Sequence, residues 1–187
     1  MRRKDDRKQQ SIKEALLKLI LSEGLQGASI AKIAREAGVS PATVYIYYDN
    51  KEAMLQDTYR EYQQQMRDFL TARVQRDMSG EQLIDTLVRS YYTYITRHGE
   101  VFYFVEQFSS CPALTENWQT RSERLPMEDI LNEFKRRRVL KDVDNTSIHA
   151  LLFNPVKTIA VRYHDREAGT SPMLEDLIKM IQAALLR

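Results

Sequence analysis

Hydroxyl, phenol and ammonium groups crowd into residues 29–51, SIAKIAREAGVSPATVYIYYDNK. Ser29, Ser40 and Thr43 carry alcohols, Tyr45, Tyr47 and Tyr48 carry phenols, and Lys32 and Lys51 carry cations. Donors of these kinds hold phosphate oxygens and base edges. Asp49 is an unfavourable neighbour for a phosphate and should point away.

Such donors need a frame. Ile30, Ile33, Ala34 and Ala37 recur at helical spacing. Gly38 follows, the residue type that best accepts the left-handed conformation ending a helix. Val39 is apolar and plugs the corner, Ser40 reads as an N-cap, and Pro41 as the first residue of a new helix, where its missing N–H costs nothing. Two short helices therefore meet at a Gly-Val-Ser turn. That is a helix-turn-helix, whose second helix enters the DNA major groove.

The second helix then divides by face. Val44 and Tyr48 are four apart and face the core, which leaves Ala42, Thr43, Tyr45, Ile46 and Tyr47 on or beside the outer face. Ala42 and the Thr43 methyl suit a thymine methyl, and the Thr43 hydroxyl suits a base edge or a phosphate. Tyr45 reaches a base or a phosphate, while Tyr47 and Ser40 are phosphate donors. Lys51 brings its cation, together with a helix N-terminus, to the backbone. On the first helix Lys32 is the base-or-phosphate candidate, and Ser29 is a cap and a second phosphate donor.

The whole chain bounds the alternatives. Its 187 residues are 43% hydrophobic and 29% charged, which suits one or two compact domains. The charge is uneven. Residues 1–51 hold 10 Lys and Arg against 6 Asp and Glu, a balance of +4, and the remainder holds 18 against 20, a balance of −2. No apolar run approaches a membrane span, and MRRKDDRKQQ lacks the apolar core of a signal peptide, so a cytoplasmic protein without a membrane partner is expected. The lone Cys111 fits a reducing compartment. His98, His149 and His164 are scattered, no paired spacing suggests a metal, and no glycine-rich phosphate loop is present. Cys111 beside Pro112 has no basic neighbour to activate it. These absences argue against an enzyme and leave no expected cofactor.

Strand-type alternation is nowhere convincing, so the expected fold class is all-α, with about nine helices. Residues 1–10 read as a solvated, frayed basic end. Ile12, Ala15, Leu16, Leu19 and Ile20 form an amphipathic stripe that Gly24 and Gly27 end. Asn50 caps a long helix expected to run to about Met78, roughly 40 Å. Ser79-Gly80-Glu81-Gln82 fits a capping box ahead of a helix that stops at His98-Gly99. A short helix from Glu100 to about Phe108 is apolar nearly all round. Residues 113–138 read as helical with Pro126 as an interruption, and Arg136, Arg137 and Arg138 favour its dipole. Helices over 145–163, bent at Pro155, and from Ser171-Pro172 onward complete the chain. Ile159 and Tyr163 on the first of these, and Leu174, Leu177, Ile178, Ile181 and Leu185 on the second, make a surface for a second copy, because one short recognition helix reads too few bases to be specific.

The order of elements resembles the TetR family of transcriptional regulators. The likeness is most specific in Ile33-Ala34, Ala37-Gly38-Val39-Ser40, Thr43-Val44-Tyr45, Tyr48 and Asn50-Lys51-Glu52-Ala53-Met54-Leu55, and it covers about residues 10–56. Position 47 is Tyr where many members carry His, so a phenol replaces an imidazole at that phosphate contact. The resemblance implies a DNA-binding domain over 1–51 and a ligand-binding and dimerisation domain over 52–187. It implies a homodimer on a palindromic double-stranded operator, usually as a repressor. A small molecule in the C-terminal body would move the helix after Asn50 and pull the two heads out of register.

Aromatic residues suggest where such a molecule would sit. Tyr59, Tyr62, Tyr91, Tyr94, Phe102, Phe108, Trp118 and Phe153 lie on helices able to surround a cavity, with Gln63 adding polarity. Glu106, His149, Asn154 and Lys157 are further polar groups. Walls of this kind suit a flat or amphipathic organic molecule.

Overall fold

The computed structural model describes residues 2–109, 126–163 and 172–187. Among them are nine helices: α1 (Arg2–Gly27), α2 (Ile30–Glu36), α3 (Pro41–Tyr47), α4 (Lys51–Thr71), α5 (Gly80–Arg97), α6 (Gly99–Ser109), α7 (Pro126–Arg136), α8 (Asn145–Tyr163) and α9 (Pro172–Leu185). The chain forms two compact units, one of residues 1–64 and 100–118, the other of 65–99 and 119–187. The class is all-α, and among the described residues the one extended pairing is a single bridge between Leu140 and Leu186.

The first unit is built on the α1 stripe. Ile12, Leu16 and Ile20 are buried together with Ile33 and Ala34 of α2, Val44 of α3 and Tyr48. Ser29 and Ser40 cap α2 and α3, accepting from the backbone N–H of Lys32 and Thr43 at 3.3 and 3.2 Å. Between the helices the Gly38 N–H donates to the Arg35 carbonyl and the Val39 N–H to the Ala34 carbonyl, the paired bonds of a Schellman turn. Gly38 sits at φ +67, and a Cβ there would touch nothing. Backbone conformation alone therefore requires glycine at this turn. The Asn50 side chain accepts from the Ala53 N–H at 2.8 Å and starts α4. Met54, Leu55, Thr58, Tyr59 and Tyr62 of α4 are buried, as are Phe102, Phe104, Val105 and Phe108 of α6.

In the second unit α5 packs against α8 and α9. Ser79 and Gln82 complete both halves of the expected capping box, at 3.2 and 2.8 Å. Leu83, Leu87 and Val88 of α5 are buried, as are Met127, Leu131 and Phe134 of α7, Ile148, Leu152 and Val156 of α8, and Leu174, Ile178, Ile181 and Leu185 of α9. The C-terminus is tied down. Lys141 donates its N–H to the Leu185 carbonyl at 2.8 Å, and Arg187 to Val139 at 3.3 Å. A Cβ on Gly80 would lie 2.3 Å from Leu186 Cδ2 and 2.7 Å from Val139 Cγ1, so the start of α5 approaches this clasp closely.

Two expectations need correction. Residues 2–10 are helical and not a frayed end, because α1 begins at Arg2. Asp5 in its first turn complements the helix dipole, and Ser11 donates back to the Arg7 carbonyl at 3.0 Å. Second, α4 stops at Thr71, about 32 Å from its start at 1.5 Å per residue, not at Met78. Beyond Leu70 only Ala72, Val74 and Met78 are apolar, too little to hold another turn against a core. Pro126 opens α7, where its missing N–H is harmless, and the part of the expected 113–138 helix before it lies outside the described residues. α8 spans Asn145–Tyr163 with Pro155 inside it, as the sequence leads one to expect.

Candidate nucleic-acid interface

α3 presents two unlike faces. Val44 and Tyr48 are buried, whereas Tyr45 is 56% and Ile46 78% exposed. Ala42 is exposed and Thr43 half-buried on the same outward side. The Ser40 and Thr43 hydroxyls lie 2.9 Å apart. Ile46 is outward too, as its spacing from Val44 implies. It is the most exposed large apolar side chain among the described residues. With Tyr45 beside it, it makes an apolar patch on the outward face of α3, whose one buried residue is Val44.

The other donors are tethered. Lys32 on α2 pairs with Glu23 of α1. Lys51 donates to the Leu25 carbonyl at 2.6 Å, tying the start of α4 to the end of α1, where Gly24 breaks the helix at φ +75. The Tyr47 hydroxyl donates to Asp5 Oδ1 at 3.0 Å. The Ser29 oxygen accepts in its cap, a bond that does not use the hydroxyl hydrogen.

Behind α3 lies a buried cation. Lys13 of α1 is 5% exposed and reaches Asp57 Oδ2 at 2.8 Å and Glu61, both on α4. The Tyr48 hydroxyl receives a bond from Gln9 at 3.2 Å and lies 3.3 Å from Asp57 Oδ2, donating to it. Sequence reasoning missed this cluster, since its members lie 48 residues apart.

The expected ligand-binding residues separate between the units. In the first, Tyr59 meets Phe108 at 5.7 Å between ring centroids, Tyr62 meets Phe104 edge-on at 5.7 Å, and Phe102 is buried. Gln63 donates to the Tyr59 hydroxyl at 2.6 Å, and Ser109 lies 3.2 Å from the same oxygen. In the second unit, Tyr91 packs on Phe153 at 4.9 Å and Phe153 on His149 at 5.5 Å, while Tyr94 packs on His98 and Phe69. Burial pushes the Tyr94 phenol up to about 12, so it stays neutral. Trp118 lies outside the described residues. A cavity of about 330 Å³ in the second unit is lined by Gln75, Asp77, Met78, Gln82, Asp85 and Thr86, and holds none of the expected aromatic residues.

His149 is a pH-sensitive member of this second group. Burial lowers its pKa below the ordinary 6.5, and Glu128, whose Oε1 is 3.6 Å from Nε2, pulls partly the other way. A depressed histidine adds stability above its unfolded pKa, and this is lost as pH falls through the folded value. Between about pH 7 and pH 5, wild type should therefore lose more thermal stability than His149→Gln, as read by melting curves. Parallel curves would remove the assignment.

The expected dimer residues also divide. Leu174, Ile178, Ile181 and Leu185 are all at most 5% exposed within the chain, so they complete its own core and offer nothing to a second copy. Ile159 and Leu177 are half-buried, and the Tyr163 side chain lies outside the described residues. The outward apolar residues are instead Met173 and Met180 on α9 and Leu151 and Val161 on α8.

Among the described residues there is no group of three His, Cys, Asp or Glu able to hold a metal, and no helix long and apolar enough to cross a membrane.

Known proteins agree with this geometry. The family model for bacterial regulatory proteins of the tetR family matches residues 12–58, the span from the α1 stripe to the buried Thr58. The uncharacterized HTH-type transcriptional regulator YvdT of Bacillus subtilis is 22% identical over 160 residues, covering 84% of this chain and 82% of its own. The HTH-type transcriptional regulator BetI of Escherichia coli is 31% identical over 129 residues, 66% of each chain. A TetR family transcription regulator from Marinobacter aquaeolei aligns over 100% of this chain and 99% of its own, with TM-score 0.82 and 25% identity. A Haemophilus influenzae TetR-family regulator of the same fold aligns over 100% of both chains at TM-score 0.83 and 18% identity. Relatives of this kind are transcriptional regulators, not enzymes. The chain is a helix-turn-helix transcriptional regulator and belongs to the TetR family.

Proposed function

We propose that this regulator is a repressor that binds a palindromic operator as a homodimer and is released by a small hydrophobic or aromatic effector. Residues 1–51 contact DNA, and residues 52–187 pair the copies and take the effector. In the head, Ala42, Thr43, Tyr45 and Ile46 read base edges, while Ser29, Ser40, Lys32, Tyr47 and Lys51 meet phosphates. The observation that carries this reading is the outward face of α3, with Tyr45 and Ile46 exposed opposite the buried Val44.

Support for pairing comes from Met173, Leu177, Met180 and Ala184, spaced by four, three and four residues along α9, with Met180 at 69% exposure. That spacing is a helix–helix seam. Ile159, Leu151 and Val161 of α8 extend the apolar surface. Support for an effector comes from the aromatic groups with a few polar atoms among them: Tyr59, Gln63 and Ser109 in one unit, His149 in the other. α4 carries Tyr59 and Gln63 and begins at Lys51, so an effector there acts on the helix that leaves the head.

The test is a band shift at physiological salt on a duplex from upstream of the chain's own gene, with sedimentation on the same samples. Replacing Tyr45→Ala and Ile46→Ala together should weaken operator binding by about tenfold or more and leave mixed-sequence DNA nearly unaffected. Equal losses on both duplexes would refute base reading by α3. A single-chain mass at concentrations that shift the operator would end the dimer reading. A screen of flat, amphipathic compounds in which none releases the operator would end the effector reading.

A further inference from the structure

The groups that α2, α3 and α4 would turn toward phosphates have partners within the chain. Tyr47 donates to Asp5, Lys32 pairs with Glu23, and Lys51 donates to the Leu25 carbonyl. Two of these three acceptors are carboxylates, and both belong to α1. A carboxylate and a phosphate present the same thing to a donor: an anionic oxygen at hydrogen-bond distance.

Tyr47 is the case where the two uses exclude each other. A phenol has one hydrogen to give. Here it goes to Asp5 Oδ1 at 3.0 Å, with the Asp5 carbonyl oxygen a longer 3.4 Å away. Partial removal from water, then the bond to Asp5, raises the Tyr47 pKa, so the hydrogen stays on the phenol. Asp5 is exposed and Tyr47 half-buried, which leaves the contact open to exchange at the surface. The two lie 42 residues apart, so the contact exists because α1 extends back to Arg2.

We infer that Asp5 holds the Tyr47 hydroxyl in place of a backbone phosphate, and that DNA binding exchanges the one acceptor for the other. This rests on the reading of α3 as the DNA-contacting helix. Asp5 is then a residue that sets affinity for DNA without touching a base. It restrains binding in two ways: its oxygen must be given up, and its charge remains near the phosphate that replaces it. Glu23 and Lys32 are a second exchange of the same kind, weaker in consequence because ammonium has three hydrogens to share.

The experiment measures full-chain affinity for a mixed-sequence duplex of about 30 base pairs at low salt, where backbone contacts dominate. Asp5→Ala is compared with Asp6→Ala, which removes a neighbouring charge only, each in the wild-type and the Tyr47→Phe backgrounds. Melting curves check that α1 remains folded. Asp5→Ala should tighten binding about two- to fivefold, and by more than Asp6→Ala does. In the Tyr47→Phe background the two substitutions should become equivalent. Equal gains from both substitutions in the wild-type background would overturn the exchange and leave a plain charge effect. Weaker binding by Asp5→Ala would overturn it the other way, making Asp5 a support that holds Tyr47 in its binding pose. If the Tyr45→Ala and Ile46→Ala pair changes affinity for no duplex at all, the reading of α3 has failed instead.

Discussion

Phe104→Ala is expected to lower folding stability by about 3–5 kcal/mol, the largest effect of any single change considered for this chain. The Phe104 side chain is fully buried in the first unit. Its ring meets Tyr62 edge-on, at 85° and 5.7 Å, and Phe108 at 4.7 Å. Truncation therefore leaves a cavity bounded by two aromatic rings and also removes two ring–ring contacts, each worth about 0.5–1.5 kcal/mol. Domains of this size have about 5–15 kcal/mol in all, so a large share goes with one ring. Tyr62 lies on α4, within the same unit as the helix-turn-helix. Loss of Phe104 should thus loosen the segment that supports the head and weaken operator binding at temperatures well below the new midpoint. Urea unfolding is the measurement. The midpoint should fall with the slope unchanged, and Phe104→Leu should recover most of the loss by refilling the volume. A cost below about 1 kcal/mol would mean the ring does not fill the space between Tyr62 and Phe108.

How much of this was legible in the sequence follows from the range over which each interaction acts. Ser29, Ser40, Asn50 and Ser79 cap helices through bonds to residues three positions on, so the signal lies in four consecutive letters. The Gly38 turn is equally local, and the buried faces of α1, α3 and α5 follow helical periodicity. The same periodicity placed Ile46 outward, yet nothing in it said that the side chain would stay uncovered. Contacts between distant residues were not legible. Tyr47 with Asp5, and Lys13 with Glu61, are matters of which helices meet and by which faces, and no window of sequence contains both partners. The α9 stripe shows a different limit. Leu174, Ile178, Ile181 and Leu185 have the spacing of a seam between helices, and that spacing is the same whether the partner is the chain's own α5 and α8 or a second copy. Burial decides between them: these four close the core, and Met173 and Met180 are left for the surface.

Lys13→Met is expected to destabilise the first unit by about 1–3 kcal/mol and to weaken DNA binding beyond what the stability loss explains. Lys13 is the buried member of the cluster; Asp57 and Glu61 are 46% and 35% exposed at their side chains. Methionine fills the space left by the lysine stem, so the loss is one of charge. Asp57 and Glu61, one turn apart on α4, then lose the cation that both of them reach. Their partial exposure lets water relieve them, which keeps the cost below that of a fully buried orphan charge. Burial alone would lower the Lys13 pKa, but the bonds to Asp57 and Glu61 outweigh it and leave the value raised. A raised lysine contributes its stabilisation fully below the unfolded value near 10.5 and loses it only as pH rises beyond. The difference between Lys13→Met and wild type should therefore not shrink through Lys13 between about pH 6 and pH 9. The functional part follows from Asp57. It accepts from Lys13 at 2.8 Å and from the Tyr48 hydroxyl at 3.3 Å, and Tyr48 ends α3. Without Lys13, Asp57 is free to turn toward water, and α3 loses a tie to α4. The rescue variant joins Lys13→Met with Asp57→Asn and Glu61→Gln, removing the repulsion while keeping at position 57 an amide able to accept from Tyr48. It should regain most of the stability in urea and a smaller part of the DNA affinity. If the rescue variant is no more stable than Lys13→Met alone, like-charge repulsion is not the source of the loss. If Lys13→Met binds the operator as tightly as wild type, the cluster supports the fold without holding α3 for DNA.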